Sequence, residues 1–264
     1  MAEPKLAFTR LAGEAGRGAL LVVGPSLGTS VEALWGPAAR LLGERHEVMG
    51  WDLPGHGRSE PSTEAFSIAD LAAVVRRTVG ELVGDTDRHA SYAGVSLGGA
   101  VALELALVPG PFTEVASIAS AARLGEPAGW HERAALVRRA GTPVMVAQST
   151  QRWFAPGFTD RDPVDAGRLL TALSDTDSES YALACEALAG FDLRPRLGDA
   201  VVPVLVAPGE HDVVVPPALA ALTASSITGA RLHVMAGCGH QPPIEDPAGI
   251  ASVLRDHIEE ASHA

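Results

Sequence analysis

Cysteine is scarce in this 264-residue chain. Cys185 and Cys238 stand apart, without the paired spacing of a metal site and too few for a disulfide framework. That excludes a small secreted scaffold stapled by disulfides and fits a reducing compartment. Positive charge is also in deficit: twenty Lys and Arg against thirty-two Asp and Glu give a net charge of −12. Such a balance argues against nucleic acid or an anionic membrane as partner. No uninterrupted apolar run approaches the roughly 18 residues of a membrane span. The opening residues, MAEPKLAFTRLAGEAG, lack the charged and then apolar regions of a secretory signal, so a cytoplasmic location is expected. Internal repeats and low-complexity tracts are absent. Apolar residues, by contrast, are plentiful at 47%, enough to fill one large α/β domain or two small ones.

The apolar residues fall into short runs separated by longer, helix-patterned segments. Runs over 18–23, 46–52, 89–95, 114–120, 201–209 and 230–237 read as strands buried on both faces. Between them lie segments such as Ser67 to Val83, whose apolar positions recur at helical spacing and whose Ser67 and Asp70 form a plausible N-terminal capping pair. This alternation predicts an α/β fold, a mostly parallel sheet with helices on both faces. It breaks once, from about Arg123 to Arg196, where Ala- and Leu-rich helical stretches are interrupted by GTP, APGFTDRDP and SDTDSES. An insertion after a sheet strand is expected to cap the carboxyl edge, where ligands bind in open α/β sheets. The expected organisation is a core of residues 1–122 and 197–264 with a helical cap of residues 123–196.

One corner carries chemistry. Gly94-Val95-Ser96-Leu97-Gly98 fits G-x-S-x-G, a sharp strand-to-helix turn that lifts a serine above the sheet. A serine needs a base to take its proton, and the base needs an orienting carboxylate, in the chain order Ser, acid, His. His240, in AGCGHQPPIEDP after the last expected strand, is the candidate base. Asp212, in APGEHDVVVP after the preceding strand, is the candidate acid, which would fix the imidazole tautomer. His211 reads as a solvated neighbour, and Asp52, in the turn-rich DLPGHGRSE, as a structural residue of its loop. A tetrahedral oxyanion requires two donors. The Leu97 N–H is one; the other is expected from GPSLGTS, where Pro25 has no N–H, so that Ser26 is the first choice and Leu27 the second.

In order along the chain, DLPGHGRS, GVSLGG, GEHD and GCGH resemble the α/β-hydrolase superfamily from about Leu6 onward. Where most members carry His-Gly, this chain has Gly24-Pro25, and its SLGTS is similar to 3-oxoadipate enol-lactonases. GWHERAALVRRAGTPVM, QRWFAPGF and FDLRPRL extend that likeness through the expected cap. The resemblance implies a hydrolase, without metal or cofactor, that opens a five-membered enol-lactone bearing an acetate arm. Such an anionic small-molecule substrate asks for a cation, and Arg133 and Arg152 are the candidates, with Trp130 and Trp153 able to wall the ring. A general carboxylesterase or lactonase and a carbon–carbon bond hydrolase use the same triad, since the cap selects the substrate. A noncatalytic small-ligand receptor is the more distant alternative, and a haloalkane dehalogenase would want a carboxylate where Ser96 stands.

Overall fold

The computed structural model describes residues 3–84 and 88–261; residues 1–2 and 262–264, the outer bounds expected for the core, lie outside them. Seven strands form one sheet: β1 (Ala7–Ala12), β2 (Ala19–Gly24), β3 (His46–Asp52), β4 (Ala90–Val95), β5 (Phe112–Ile118), β6 (Val204–Ala207) and β7 (Arg231–Leu232). Their spatial order is β1-β3-β2-β4-β5-β6-β7, and only the β1–β3 pairing is antiparallel. The helices are α1 (Val31–Leu42), α2 (Ile68–Val83), α3 (Leu97–Leu107), α4 (Pro127–Ala140), α5 (Val146–Trp153) and α6 (Phe158–Arg161). They continue as α7 (Pro163–Asp175), α8 (Ser178–Ala189), α9 (Pro217–Ser225), α10 (Pro242–Glu245) and α11 (Pro247–Ala261). Among the described residues, no helix is long and apolar enough to cross a membrane.

Burial explains the pattern. β4 is buried at all six positions, and α3 buries nine of its eleven residues, so neither has a solvent face to mark with polar side chains. α2 shows the opposite case, an amphipathic helix whose Ser67 and Asp70 close a capping box: the Asp70 N–H donates to Ser67 Oγ at 3.1 Å and the Ser67 N–H to Asp70 Oδ2 at 2.9 Å.

Two strands differ from expectation. β1 was not predicted, because its residues are half-exposed and carry Arg10, the mark of an edge strand. The run 230–237 pairs as a regular strand only over Arg231–Leu232; beyond it the pairing is irregular, with the His233 N–H donating to the Val206 carbonyl at 3.0 Å, the Met235 N–H to the Pro208 carbonyl at 2.8 Å, and one bridge between Gly209 and Met235. Because β2 to β7 run parallel, the loops after β2, β4 and β6 emerge at one edge.

Residues 123–196 contain α4 to α8 and no strand. This helical insertion is seated on the loop after β3. The Asp177 N–H donates to the Gly55 carbonyl at 2.9 Å, and the Ser62 N–H to Ser180 Oγ at 2.9 Å. His56 stacks on Tyr181 with ring centroids 6.2 Å apart. At Gly55, φ is +69° and a Cβ would lie 2.4 Å from Ser180 Cβ, so only glycine lets α8 approach this closely.

Candidate active site

β4 delivers Ser96 to the turn that begins α3. Its backbone stands at φ 55°, ψ −109°, a conformation that costs about 1 to 3 kcal/mol for a residue with a side chain. The surroundings hold it there: the Ser96 N–H donates to the Ile118 carbonyl at 2.8 Å, and its carbonyl accepts from Ser120 Oγ at 2.8 Å. The neighbouring glycines are a packing requirement. A Cβ on Gly94 would lie 2.0 Å from the Gly98 carbonyl oxygen, and one on Gly98 would lie 2.6 Å from that of Pro25. The Gly98 N–H donates to that same Pro25 oxygen at 2.9 Å, tying the elbow to the loop after β2.

His240 and Asp212 arrive from the loops after β7 and β6. His240 Nδ1 lies 2.8 Å from Asp212 Oδ2, and both side chains are withdrawn from water. The second Asp212 oxygen, Oδ1, accepts from the N–H groups of Val214 at 2.7 Å and Val215 at 2.9 Å. With its carboxylate so held, the imidazole presents Nε2 as the free nitrogen. Ser96 and His240 line one cavity. His211 is exposed, as expected of a solvated neighbour. Asp52 anchors its loop by accepting from the N–H groups of Val31 at 2.7 Å and Arg58 at 3.0 Å.

Of the two N–H groups expected as second oxyanion donor, that of Ser26 is engaged and that of Leu27 is free among the described residues. The Ser26 N–H donates to Thr29 Oγ1 at 3.1 Å, while that hydroxyl donates to the Ser26 carbonyl at 2.9 Å, closing a tight turn. The Leu27 N–H, in the same cavity wall, has no acceptor among the described residues. Leu97 opens α3, so its N–H has no intrahelical acceptor and is the first of the helix's unpaired donors.

The insertion supplies the opposite wall. Trp130, Arg133, Arg152 and Trp153 all line the cavity with Ser96 and His240. A second cavity of ≈ 200 Å³ shares Ser96, Trp130, Arg133 and Arg152 with it. Arg133 packs over the Trp130 ring at 4.9 Å and lies beside the Tyr181 hydroxyl. Neither guanidinium pairs with a carboxylate among the described residues. Burial, and then the positive charge of Arg133, lower the pKa of Arg152, whereas Asp212 opposes that shift. Two cations without a carboxylate pair therefore face a small cavity, whose wall also holds Glu126, itself paired with Arg123. A larger groove of ≈ 970 Å³ between α1 and α7 holds none of these residues. There Arg10, Arg58 and Arg168 are already paired with Glu47, Glu32 and Asp165.

Two residues were not foreseen. Glu245 sits on α10, five residues beyond His240, and its buried carboxylate accepts from the N–H groups of Gly239 at 3.0 Å, Gln241 at 3.0 Å and Ala155 at 2.7 Å. Burial raises its pKa against the pull of those three donors. The His240 N–H donates to the Trp153 carbonyl at 2.8 Å, so the histidine loop and the insertion are joined at two adjacent points. Gln241, fully buried, donates from Nε2 to Ser26 Oγ at 3.3 Å. The Pro-rich stretch that carries both residues gave no periodic pattern by which to place them.

Residues 19–253 match the model of the alpha/beta hydrolase family. The chain belongs to that family. It is 32% identical over 236 residues to 3-oxoadipate enol-lactonase 2 of Acinetobacter baylyi, covering 89% of this chain and 86% of that one. A pimeloyl-[acyl-carrier protein] methyl ester esterase of Neisseria meningitidis is 30% identical over 222 residues, 80% of this chain and 83% of that one. Among solved structures, the enol-lactonase from Burkholderia xenovorans LB400 superposes with a TM-score of 0.89 at 30% identity, covering 96% of each chain. Family membership makes this hydrolase similar to enzymes that cut esters and lactones.

Proposed function

We propose that this hydrolase opens 3-oxoadipate enol-lactone to 3-oxoadipate, a step of the β-ketoadipate route of aromatic catabolism, in the cytoplasm. Residues 1–122 and 197–264 act as the catalytic core and residues 123–196 as the cap. Ser96 is the nucleophile, His240 the base and Asp212 its orienting acid. In the first step His240 takes the Ser96 hydroxyl proton as Oγ attacks the lactone carbonyl, and the tetrahedral oxyanion is held by the Leu97 and Leu27 N–H groups. Collapse breaks the ring C–O bond, and the enol leaving group takes the proton back from His240. Water, activated by the same imidazole, then releases the acid from Ser96.

The observation that carries the substrate assignment is the pair of arginines without carboxylate partners, Arg133 and Arg152, in the cavity walls shared with Ser96. A carboxylate arm compensates charge that a neutral ester leaves bare. Trp130 and Trp153 would flank the ring. The likeness to enol-lactonases in sequence and structure supports the same choice over a general esterase.

Replacing Arg133 by Leu tests it. The charged lactone should lose about 2 to 4 kcal/mol in kcat/KM, the cost of leaving a partly desolvated carboxylate unpaired, while a neutral lactone of similar size changes little. The ratio of the two losses cancels general damage to the fold. Equal losses on both substrates would make Arg133 structural and remove the cation from the argument.

A further inference from the structure

Ser26 stands in the cavity wall with Ser96 and His240, only 1% exposed. Its backbone N–H is committed to Thr29 Oγ1, and its carbonyl accepts from Thr29 twice, from the N–H at 3.1 Å and from Oγ1 at 2.9 Å. The turn is therefore fixed in its main chain, and the side chain follows from it. Ser26 Oγ accepts a hydrogen bond from Gln241 Nε2 at 3.3 Å. A hydroxyl that accepts from an amide still has one proton to give, and among the described residues no acceptor takes it. The Gln241 main chain is held: the residue follows His240 directly, is fully buried, and its backbone N–H donates to Glu245 Oε1 at 3.0 Å, while its side-chain Oε1 has no partner among the described residues.

We propose that the Ser26 hydroxyl donates a third hydrogen bond to the developing oxyanion, and that Gln241 aligns it for that task. The proposal rests on the reading of Ser96 as nucleophile. In the resting enzyme the hydroxyl proton has no protein partner. When the carbonyl oxygen becomes an oxyanion, the hydroxyl meets a charged acceptor, which it bonds more strongly than the ground-state carbonyl. No proton is transferred. The contribution thus belongs to the transition state and should appear in kcat rather than in KM. It also gives the Gln241–Ser26 contact a purpose, because it links the histidine loop to the oxyanion loop.

The test compares Ser26→Ala, Gln241→Glu and the double variant on the enol-lactone and on a neutral lactone, with Ser96→Ala alongside and thermal midpoints recorded. Ser26→Ala should lower kcat on both substrates by about tenfold to 10³-fold, with KM nearly unchanged, as for the loss of one oxyanion donor. In Gln241→Glu the carboxylate only accepts, so it takes the hydroxyl proton; kcat should fall similarly. Because both changes remove the same donor, the double variant should be no more than about twofold slower than Ser26→Ala. A kcat within about twofold of wild type in a folded Ser26→Ala variant would overturn the proposal while leaving the Ser96 reading intact. Additive losses in the double variant would overturn the role of Gln241. Activity surviving in Ser96→Ala would overturn the nucleophile and this proposal together.

Discussion

Glu245 accepts main-chain hydrogen bonds from both flanks of His240 and from Ala155 in the insertion. A carboxylate can accept all of them because each oxygen offers two lone pairs and no proton. Glutamine cannot, since its Nε2 brings a donor against donors. Glu245→Gln should therefore cost about 1 to 3 kcal/mol in unfolding free energy by denaturant titration, the cost of a buried N–H left unpaired. It should also lower kcat well below the melting range, because the imbalance lies on either side of the proposed base. A variant with reduced stability but wild-type kcat would limit Glu245 to a structural role. Nothing in the sequence marked this residue, for a lone Glu in a Pro-rich stretch reads as solvated. The meeting of Ser96, His240 and Asp212 was legible because each follows a strand, and strands are what apolar runs reveal best.

At the scale of elements, the seat between the β3–α2 loop and α8 carries a pH dependence. His56 is buried, donates from Nδ1 to the Pro54 carbonyl at 2.8 Å, and leaves Nε2 without a partner among the described residues. Burial lowers its pKa from 6.5 to about 4. As pH falls through 6.5 the unfolded chain takes up a proton at this site, while the folded chain refuses it until about pH 4. Stability therefore drops across that window, by about 3 kcal/mol from this group, and is fully restored above it. Comparing unfolding free energies at pH 7 and pH 4.5 should show a smaller drop in His56→Asn, whose amide can keep the bond to Pro54; an equal drop would assign the effect to other groups. The core elements were readable from sequence because burial on both faces leaves continuous apolar runs, as in β4. β1 escaped because an edge strand is half-exposed, and the shortness of β7 because regular and irregular pairing along an edge look the same in sequence. The helices of the insertion were visible, but not their arrangement on Gly55 and Ser180, which depends on the loop of another element.

At the scale of the whole molecule, a net charge of −12 would repel the proposed anionic substrate at long range, while Arg133 and Arg152 would attract it at short range from walls that also hold Ser96. Salt at physiological strength screens the first beyond about 8 Å and touches the second far less at contact distance. The fold reconciles them by bringing the loops after β2, β4, β6 and β7 to one edge of the sheet and setting α4 and α5 over it. The central claim is that this arrangement makes Ser96 the nucleophile of an enol-lactone hydrolase. Its most direct measurement is the ring opening of 3-oxoadipate enol-lactone followed by ultraviolet absorbance, with wild-type protein and with Ser96→Ala. Rapid opening by the wild type and a loss on the order of 10³-fold or more in the variant, with the thermal midpoint little changed, is the predicted result. Near-wild-type turnover in Ser96→Ala, or no opening by the wild type while neutral esters are cleaved, would contradict it.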